Sequence, residues 1–282
     1  MIGRALGPDN MKILVPLDGA APSESILPWV RALLGMPDAR ALLLHVSLVP
    51  DLDAEAAEGQ PRPAPVRCQT YLAEAAQRLG LPPDCVETHV LVGPIAPTIE
   101  RFAGEQGVGL VALRTSAREG LAYLLFGSTA SEILAGTRMP LLALGPSVAP
   151  RTEAPAIRRI LVPLDGSEIA AAVLPIVIAL AKGLGAAVTL FHVYSPDGPV
   201  ASLQAHAEQL RTAGVPCELA SEQGDPAERI LDRLRTGGYD LAALATHGIS
   251  GLRRLLLGSV AEAVLHASPC PVILARPVTE TE

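Results

Sequence analysis

The residues of this chain best suited to chemistry fall in one stretch, Leu244-Ala-Thr-His-Gly-Ile-Ser-Gly-Leu-Arg-Arg-Leu-Leu-Leu-Gly-Ser-Val-Ala-Glu262. The apolar run from Tyr239 to Ala245 has the length of a buried strand. Thr246, His247 and Gly248 interrupt it, and a helix is expected to open at Gly258-Ser259. A strand, a glycine-containing loop and a helix N-terminus, in that order, make a seat for phosphate groups. Glycine lets the backbone come close to a ligand, and the first amides of a helix lack intrahelical acceptors. Ser259-Val-Ala-Glu262 also has the form of a capping box, which would occupy the Ser259 hydroxyl with no ligand present.

The elements that must position this stretch come in two copies. Met11-Lys-Ile-Leu-Val-Pro-Leu-Asp-Gly19 returns as Arg159-Ile-Leu-Val-Pro-Leu-Asp-Gly166. Asp18 and Asp165 stand 147 positions apart, as do His45 and His192. Gly127 and Gly258 stand 131 apart, as do Pro140 and Pro271, so the second copy is 16 residues shorter. The surplus sits in Pro50–Pro65, acidic and rich in proline, which reads as a long surface loop. In the first copy, continuous apolar runs and helical spacing place strands over 12–17, 41–48, 85–92, 108–113 and 140–144. Helices are expected over 23–35, 67–80, 95–106 and 128–137. The second copy repeats this, with strands over 159–164, 187–193, 217–223, 240–245 and 271–275. Its helices are expected over 168–183, 200–213, 226–236 and 259–267.

Strict alternation of strand and helix implies an α/β fold: two tandem doubly wound domains, each a parallel sheet with helices on both faces. The division expected is 1–146, a polar proline-containing linker over 147–157, and 158–282. Such sheets bind ligands beyond the carboxyl ends of their strands, where the strand order switches. Asp165 and Ala245 end the first and fourth strands of the second copy. If those strands are neighbours, both residues line one crevice.

Composition narrows the function. The chain has 282 residues, 49% hydrophobic and only 3% aromatic, so its core is built from Ala, Leu, Val and Ile. Net charge is -7, and no basic run exceeds the pairs Arg158-Arg159 and Arg253-Arg254, which argues against nucleic acid as partner. No apolar run has the length of a membrane span and the N-terminus lacks the pattern of a signal peptide, so a cytoplasmic protein is expected. Cys68, Cys85, Cys217 and Cys270 form no C-x-x-C pair and read as free, buried thiols. The absence of a P-loop, of G-x-G-x-x-G and of G-x-S-x-G argues against a P-loop NTPase, a dinucleotide enzyme and a hydrolase triad, and without H-E-x-x-H or clustered Cys/His no metal is expected. A phospho-receiver would need an acidic pair after its first strand, and here there is a single aspartate.

The spacing Ala245-x2-Gly248-x9-Gly258-Ser259 resembles the nucleotide loop of the universal stress protein family, G-x2-G-x9-G-[ST]. Ile160–Glu168, His192-Val193, Gly224-Asp-Pro and Pro269-Cys-Pro-Val resemble that family's other conserved segments, and the resemblance runs through both halves. It implies a tandem member whose five-stranded sheets have the order 3-2-1-4-5. It also implies halves that pair within the chain, with a homodimer as a further option, and a site for ATP or a related adenine nucleotide, with or without Mg. Carried over residue by residue, the ATP-binding set is Pro163, Leu164, Asp165, Val193, Leu244, Ala245, Thr246, His247, Gly248, Gly258, Ser259, Val260 and Ala261. Asp165 would accept from a ribose hydroxyl or the adenine amino group, or else serve its own Asp-Gly-Ser turn. His45 and His192, inside apolar strands, are expected to be hydrogen-bonded structural histidines.

This sequence departs from the pattern at Ala245, where the family has glycine. The first half departs further: Arg114 and Ala117 stand in place of the first two glycines, ahead of Gly127-Ser128. Asp18, Arg114, Gly127 and Ser128 therefore read as a degenerate site, against the rival that Arg114 is itself a phosphate ligand. The expected function is a stress-response regulatory protein that binds ATP in its C-terminal half with little or no catalysis and no catalytic residues. The alternatives are a slow ATP hydrolase or phosphotransferase, with Asp165 its one obvious metal candidate, and a nucleotide-free interaction scaffold.

Overall fold

The computed structural model of the chain describes residues 11–47, 64–78, 80, 82–115, 133, 137, 139–195, 202–246 and 257–276. The first half contributes β1 (Lys12–Pro16), α1 (Ala21–Glu24), α2 (Leu27–Leu33), β2 (Arg40–Ser47), α3 (Ala64–Arg78), β3 (Val86–Val92), α4 (Ile95–Gln106), β4 (Leu110–Arg114) and β5 (Leu141–Leu144). The second contributes β6 (Arg159–Pro163), α5 (Glu168–Ala171), α6 (Leu174–Leu184), β7 (Ala187–Tyr194), α7 (Gln204–Thr212), β8 (Cys217–Gln223), α8 (Pro226–Thr236), β9 (Leu241–Ala245), α9 (Ser259–Ala267) and β10 (Val272–Ala275).

The strands form a ten-stranded sheet in the order β3-β2-β1-β4-β5-β10-β9-β6-β7-β8. Each half therefore has the expected order 3-2-1-4-5, parallel throughout. β5 and β10 meet antiparallel, with Leu142 opposite Ile273. Those two residues are repeat counterparts, so the joint has an approximate twofold axis running between them. Both faces of the sheet carry a hydrophobic cluster that continues from one half into the other. The inner strands β5, β9 and β10 are buried along their whole length. That is why they read as unbroken apolar runs rather than alternating ones. The outer strands β3 and β8 carry Glu87, Glu218 and Glu222 instead, charges that discourage further strand pairing.

Each half breaks one expected helix in two. Instead of single helices over 23–35 and 168–183, the chain turns after Glu24 and Ala171 and starts again at Leu27 and Leu174. Pro28 and Pro175 are the cause. A proline ring clashes with the carbonyl four residues earlier, and those carbonyls belong to Glu24 and Ala171, the last residues of the short helices. The stretch read as a loop over 50–65 ends sooner: α3 begins at Ala64, with Pro65 tolerated in its first turn. Residues 50–63 lie outside the described residues, as does most of the helix expected over 128–137. The linker is more than a polar tether. Val148 and Ile157 are buried in the shared core, and the Arg151 guanidinium lies 5.0 Å from the centroid of the Trp29 ring.

None of the four cysteines forms a disulfide, but only Cys270 is buried; Cys68, Cys85 and Cys217 are partly exposed, contrary to the expectation of buried thiols. Burial pushes the Cys270 thiol up from its ordinary 9.0 to about 11, with the Ser268 hydroxyl opposing and the charge of Asp240 assisting. The fold thus favours the neutral thiol. Its contribution to stability is fully present below pH 9.0 and is lost as pH rises through about 11. Unfolding in urea at stepped pH is expected to show a loss on the order of 2 kcal/mol across that window. The loss should shrink in Cys270→Ala, and parallel profiles for parent and variant would refute this assignment.

Candidate functional site

The pocket is built at the carboxyl ends of β6 and β9, which are neighbours. β1 and β4 are neighbours in the same way in the first half. The cavity of about 230 Å³ is lined by Pro163, Leu164, Asp165, Val193, Leu244, Ala245, Thr246, Gly258, Ser259, Val260 and Ala261, all of them expected, together with Ala170, Phe191, Pro226 and Ile230. His247 and Gly248 lie outside the described residues, as do Arg253 and Arg254.

The polar rim follows from local backbone needs. Gly166 has φ 85, a left-handed conformation that glycine adopts at no steric cost, and it turns the chain sharply after Asp165. Asp165 Oδ1 accepts from the Ser167 amide at 2.9 Å and from the Ser167 hydroxyl at 2.6 Å. Ser167 in turn caps α5, accepting from the Ala170 amide at 3.1 Å. The turn-forming role of Asp165 is therefore real, on a residue that also lines the cavity. His192 Nδ1 lies 2.9 Å from the Leu164 carbonyl, and His45 Nδ1 lies 2.8 Å from the Leu17 carbonyl. Both histidines tie strand two to the end of strand one, as expected of structural histidines.

On the opposite wall the Thr246 amide donates to the Ala275 carbonyl at 2.8 Å, and the Thr246 carbonyl accepts from the Gly258 amide at 2.7 Å. That second bond closes the base of the loop between β9 and α9, and it corrects one expectation: the Gly258 amide is engaged and is not offered to a phosphate. A second correction concerns Ser259. Gly258, not Ser259, is the N-cap of α9, and no side chain caps the helix, so the expected capping box does not form. With Gly258 in extended conformation (φ -68, ψ 155), α9 begins at Ser259. The amides of Ser259, Val260 and Ala261 then have no acceptor within the helix, while the Glu262 amide bonds the Gly258 carbonyl at 2.9 Å. Ala245 ends β9 without a positive φ, since Asp38 is the only non-glycine residue with one among the described residues. Its methyl group thus carries no backbone strain.

Phe191, Ile230, Ala170 and Pro226 were not in the expected binding set, although Pro226 belongs to the Gly224-Asp-Pro segment that carries the resemblance. Phe191 is wholly buried and forms apolar floor; the Arg233 guanidinium sits 4.9 Å from its ring centroid and donates to Glu222 at 2.7 Å. An apolar strand residue gives no sign in sequence that one of its faces lines a cavity. The one available signal was its difference from the counterpart Leu44.

The first half differs at the same place. Arg114 ends β4, and its Nη1 donates to Ser25 Oγ at 3.0 Å, so its guanidinium spans from the strand end to the break between α1 and α2. The counterparts of this pair are Ala245 and Ala172. Asp18 repeats the turn, accepting from the Ala20 amide at 2.9 Å, but it is exposed where Asp165 is half-buried. Gly127 and Ser128 lie outside the described residues. Among the described residues no group of three or more His, Cys, Asp or Glu is placed to hold a metal ion, and no helix is long and apolar enough to cross a membrane.

In doubly wound α/β folds the switch between strands one and four is the place where ligands bind, and here it holds a pocket walled by a helix N-terminus. Comparison with known proteins gives the family: a sequence model of the universal stress protein family matches residues 10–144, 156–212 and 200–276, and the chain belongs to that family. A universal stress protein of Mycobacterium tuberculosis is 25% identical over 296 residues, covering 94% of this chain and 96% of the relative. A single-length universal stress protein of Bacillus subtilis is 28% identical over 145 residues, which is 42% of this chain and 98% of that protein. The crystal structure of a universal stress protein from Archaeoglobus fulgidus superposes with TM-score 0.68 at 19% identity, covering 96% of this chain and 98% of that one, and shows the same fold.

Proposed function

We propose that this chain is a stress-response regulatory protein that binds an adenine nucleotide, ATP, in the pocket of its second half and does little or no catalysis. The observation that carries the reading is the meeting, in one cavity, of the Asp165 carboxylate, the apolar floor around Phe191 and the first-turn amides of α9, which have no acceptor within the helix. Those groups suit ribose, base and phosphate respectively. The amides and helix dipole favour anions without any basic side chain. Val193, the residue before the last of β7, lines the cavity, in position to meet the base through its backbone.

Hydrolysis is the weaker reading. Among the described residues Asp165 is the one carboxylate lining the cavity, and its Oδ1 is engaged by Ser167. Any Mg would arrive with the nucleotide phosphates and add charge stabilisation there; among the described residues no group of three or more His, Cys, Asp or Glu is placed to hold it. The first half, with Arg114 spanning its crevice, is read as nucleotide-free. The division into 1–146, 147–157 and 158–282, and the pairing of the two halves within one chain, complete the proposal, the latter supported by the β5–β10 register.

Titration calorimetry with ATP tests the reading. One nucleotide per chain is expected, and Gly258→Leu, whose extended backbone accepts any side chain, is expected to weaken binding about tenfold, which is about 1.4 kcal/mol. Absence of binding at millimolar ATP would sink the proposal, and a stoichiometry of two would overturn the inactive first half.

A further inference from the structure

The twofold-like joint brings the two halves together through repeat counterparts, and two of these pairs are unlike. Met36, just after α2, is the counterpart of Gly183 in α6, 147 positions on. The two meet. A Cβ placed on Gly183 would lie 2.7 Å from Met36 Cγ, 2.8 Å from Sδ and 3.1 Å from Cβ. Met36 is 3% exposed, so it has little room to withdraw. The methionine fills the hollow that the glycine leaves.

The second pair is Gly145, after β5, and Arg276, after β10, 131 positions on. Gly145 is buried against α9, and a Cβ there would run into the Leu265 carbonyl oxygen. Arg276 has a place of its own, half-buried, where desolvation lowers its pKa from the ordinary value and the charge of Glu100, on α4 of the first half, opposes that.

Applying the twofold to each half alone shows what these asymmetries exclude. Two first halves would set Met36 on Met36. Two second halves would set Arg276 where only Gly145 fits, on the Leu265 carbonyl, and would leave Gly183 facing Gly183 across an unfilled hollow. Only a first half with a second half satisfies both places. We propose that the joint is an interface that accepts only the opposite half, so that the partner of each half is the other half of this chain and like-with-like pairing is refused. Steric conflict supplies the refusal, and the linker supplies a high effective concentration of the right partner. The inference rests on the reading that the halves pair within the chain.

The test begins from the whole protein. A protease site placed in the exposed stretch Arg151–Glu153 allows the folded chain to be cut, unfolded in urea, refolded and weighed by native mass spectrometry. Refolded material is expected to contain first and second halves in one-to-one complexes. First–first or second–second complexes above about a tenth of the total would overturn the selectivity. Halves that separate and stay single would overturn the pairing itself, a different failure. A second arm uses the uncut chain. Gly183→Met is expected to lower Tm by about 5 °C, as overpacking does, and adding Met36→Ala should recover at least half of that loss. Losses that simply add would show that the two residues are not a fitted pair and would likewise overturn the proposal.

Discussion

Ala245→Arg is expected to weaken ATP binding about a hundredfold, about 2.7 kcal/mol, while leaving the fold intact. The chain itself supplies the argument. Arg114 occupies the counterpart position at the end of β4, so an arginine there is compatible with this architecture. Its guanidinium runs to Ser25, whose counterpart is Ala172, two residues from the cavity-lining Ala170. An arginine at 245 would follow the same path and fill space that Ala245 and Ala172 leave open. It would also bring its charge close to Asp165 and compete for that carboxylate. Calorimetry measures the loss, and thermal unfolding should place Tm within a few degrees of the parent. If binding were instead strengthened, the arginine would be acting as a phosphate ligand, and Arg114 would have to be read as the mark of a modified site in the first half. Adding Ala172→Ser to the variant, which rebuilds the first-half pair, should stabilise it without restoring affinity.

What the sequence reveals of this site follows from which residues have to be unusual. The ends of β6 and β9 were visible because Asp165, Gly166, Thr246 and Gly258 interrupt apolar runs, and a polar or flexible residue at a strand end needs a reason. The floor was not visible. Phe191 and Ile230 belong to the same hydrophobic cluster as Leu161 and Leu234, and only the space beside them makes them lining residues. The engagement of the Gly258 amide by Thr246 was also hidden, because it depends on how the ends of the loop are brought together.

The fold was legible to a similar depth. Five strands and their helices per half follow from runs and periodicity, and a repeat at fixed spacing gives the tandem arrangement. Pro28 and Pro175 were plain markers of the two helix breaks, since a proline interrupts the turn before it; the apolar spacing masked them by continuing in phase across the break. The joint was harder. Leu141–Leu144 reads as a strand buried on both faces, which fits an inner strand equally well whether its second neighbour comes from this chain or another. Nor does a glycine in a sequence say what lies beside it. Gly104 and Gly145 look alike on paper, yet a Cβ on Gly104 would meet open space.

That contrast sets the second large effect. Gly145→Ala is expected to destabilise the chain by about 3 kcal/mol or more, near the upper end for overpacking. The conflict is with backbone: the new methyl would meet the Leu265 carbonyl oxygen and stand 3.2 Å from its carbonyl carbon, atoms with no rotamer to change. Pro146 follows and restricts relief on one side. Beyond it, the Ser147 hydroxyl donates to the His266 carbonyl at 2.8 Å and Val148 is buried, which pins the linker to the C-terminal turn of α9. Gly145 has no positive φ, so the cost is steric and not conformational. Gly104→Ala, inside α4, is the control and should be neutral or stabilising by up to about 1 kcal/mol. Urea unfolding followed by circular dichroism decides the matter; a Gly145→Ala stability within about 0.5 kcal/mol of the parent would contradict the close approach. The consequence reaches the pocket. α9 is nine residues long, with Leu265 near its C-terminus and, at its start, the three amides that have no acceptor within the helix. Displacing the helix at one end moves the anion-binding end with it. Gly145→Ala should therefore also weaken ATP binding, although it lies in the first half of the chain and touches no residue of the cavity.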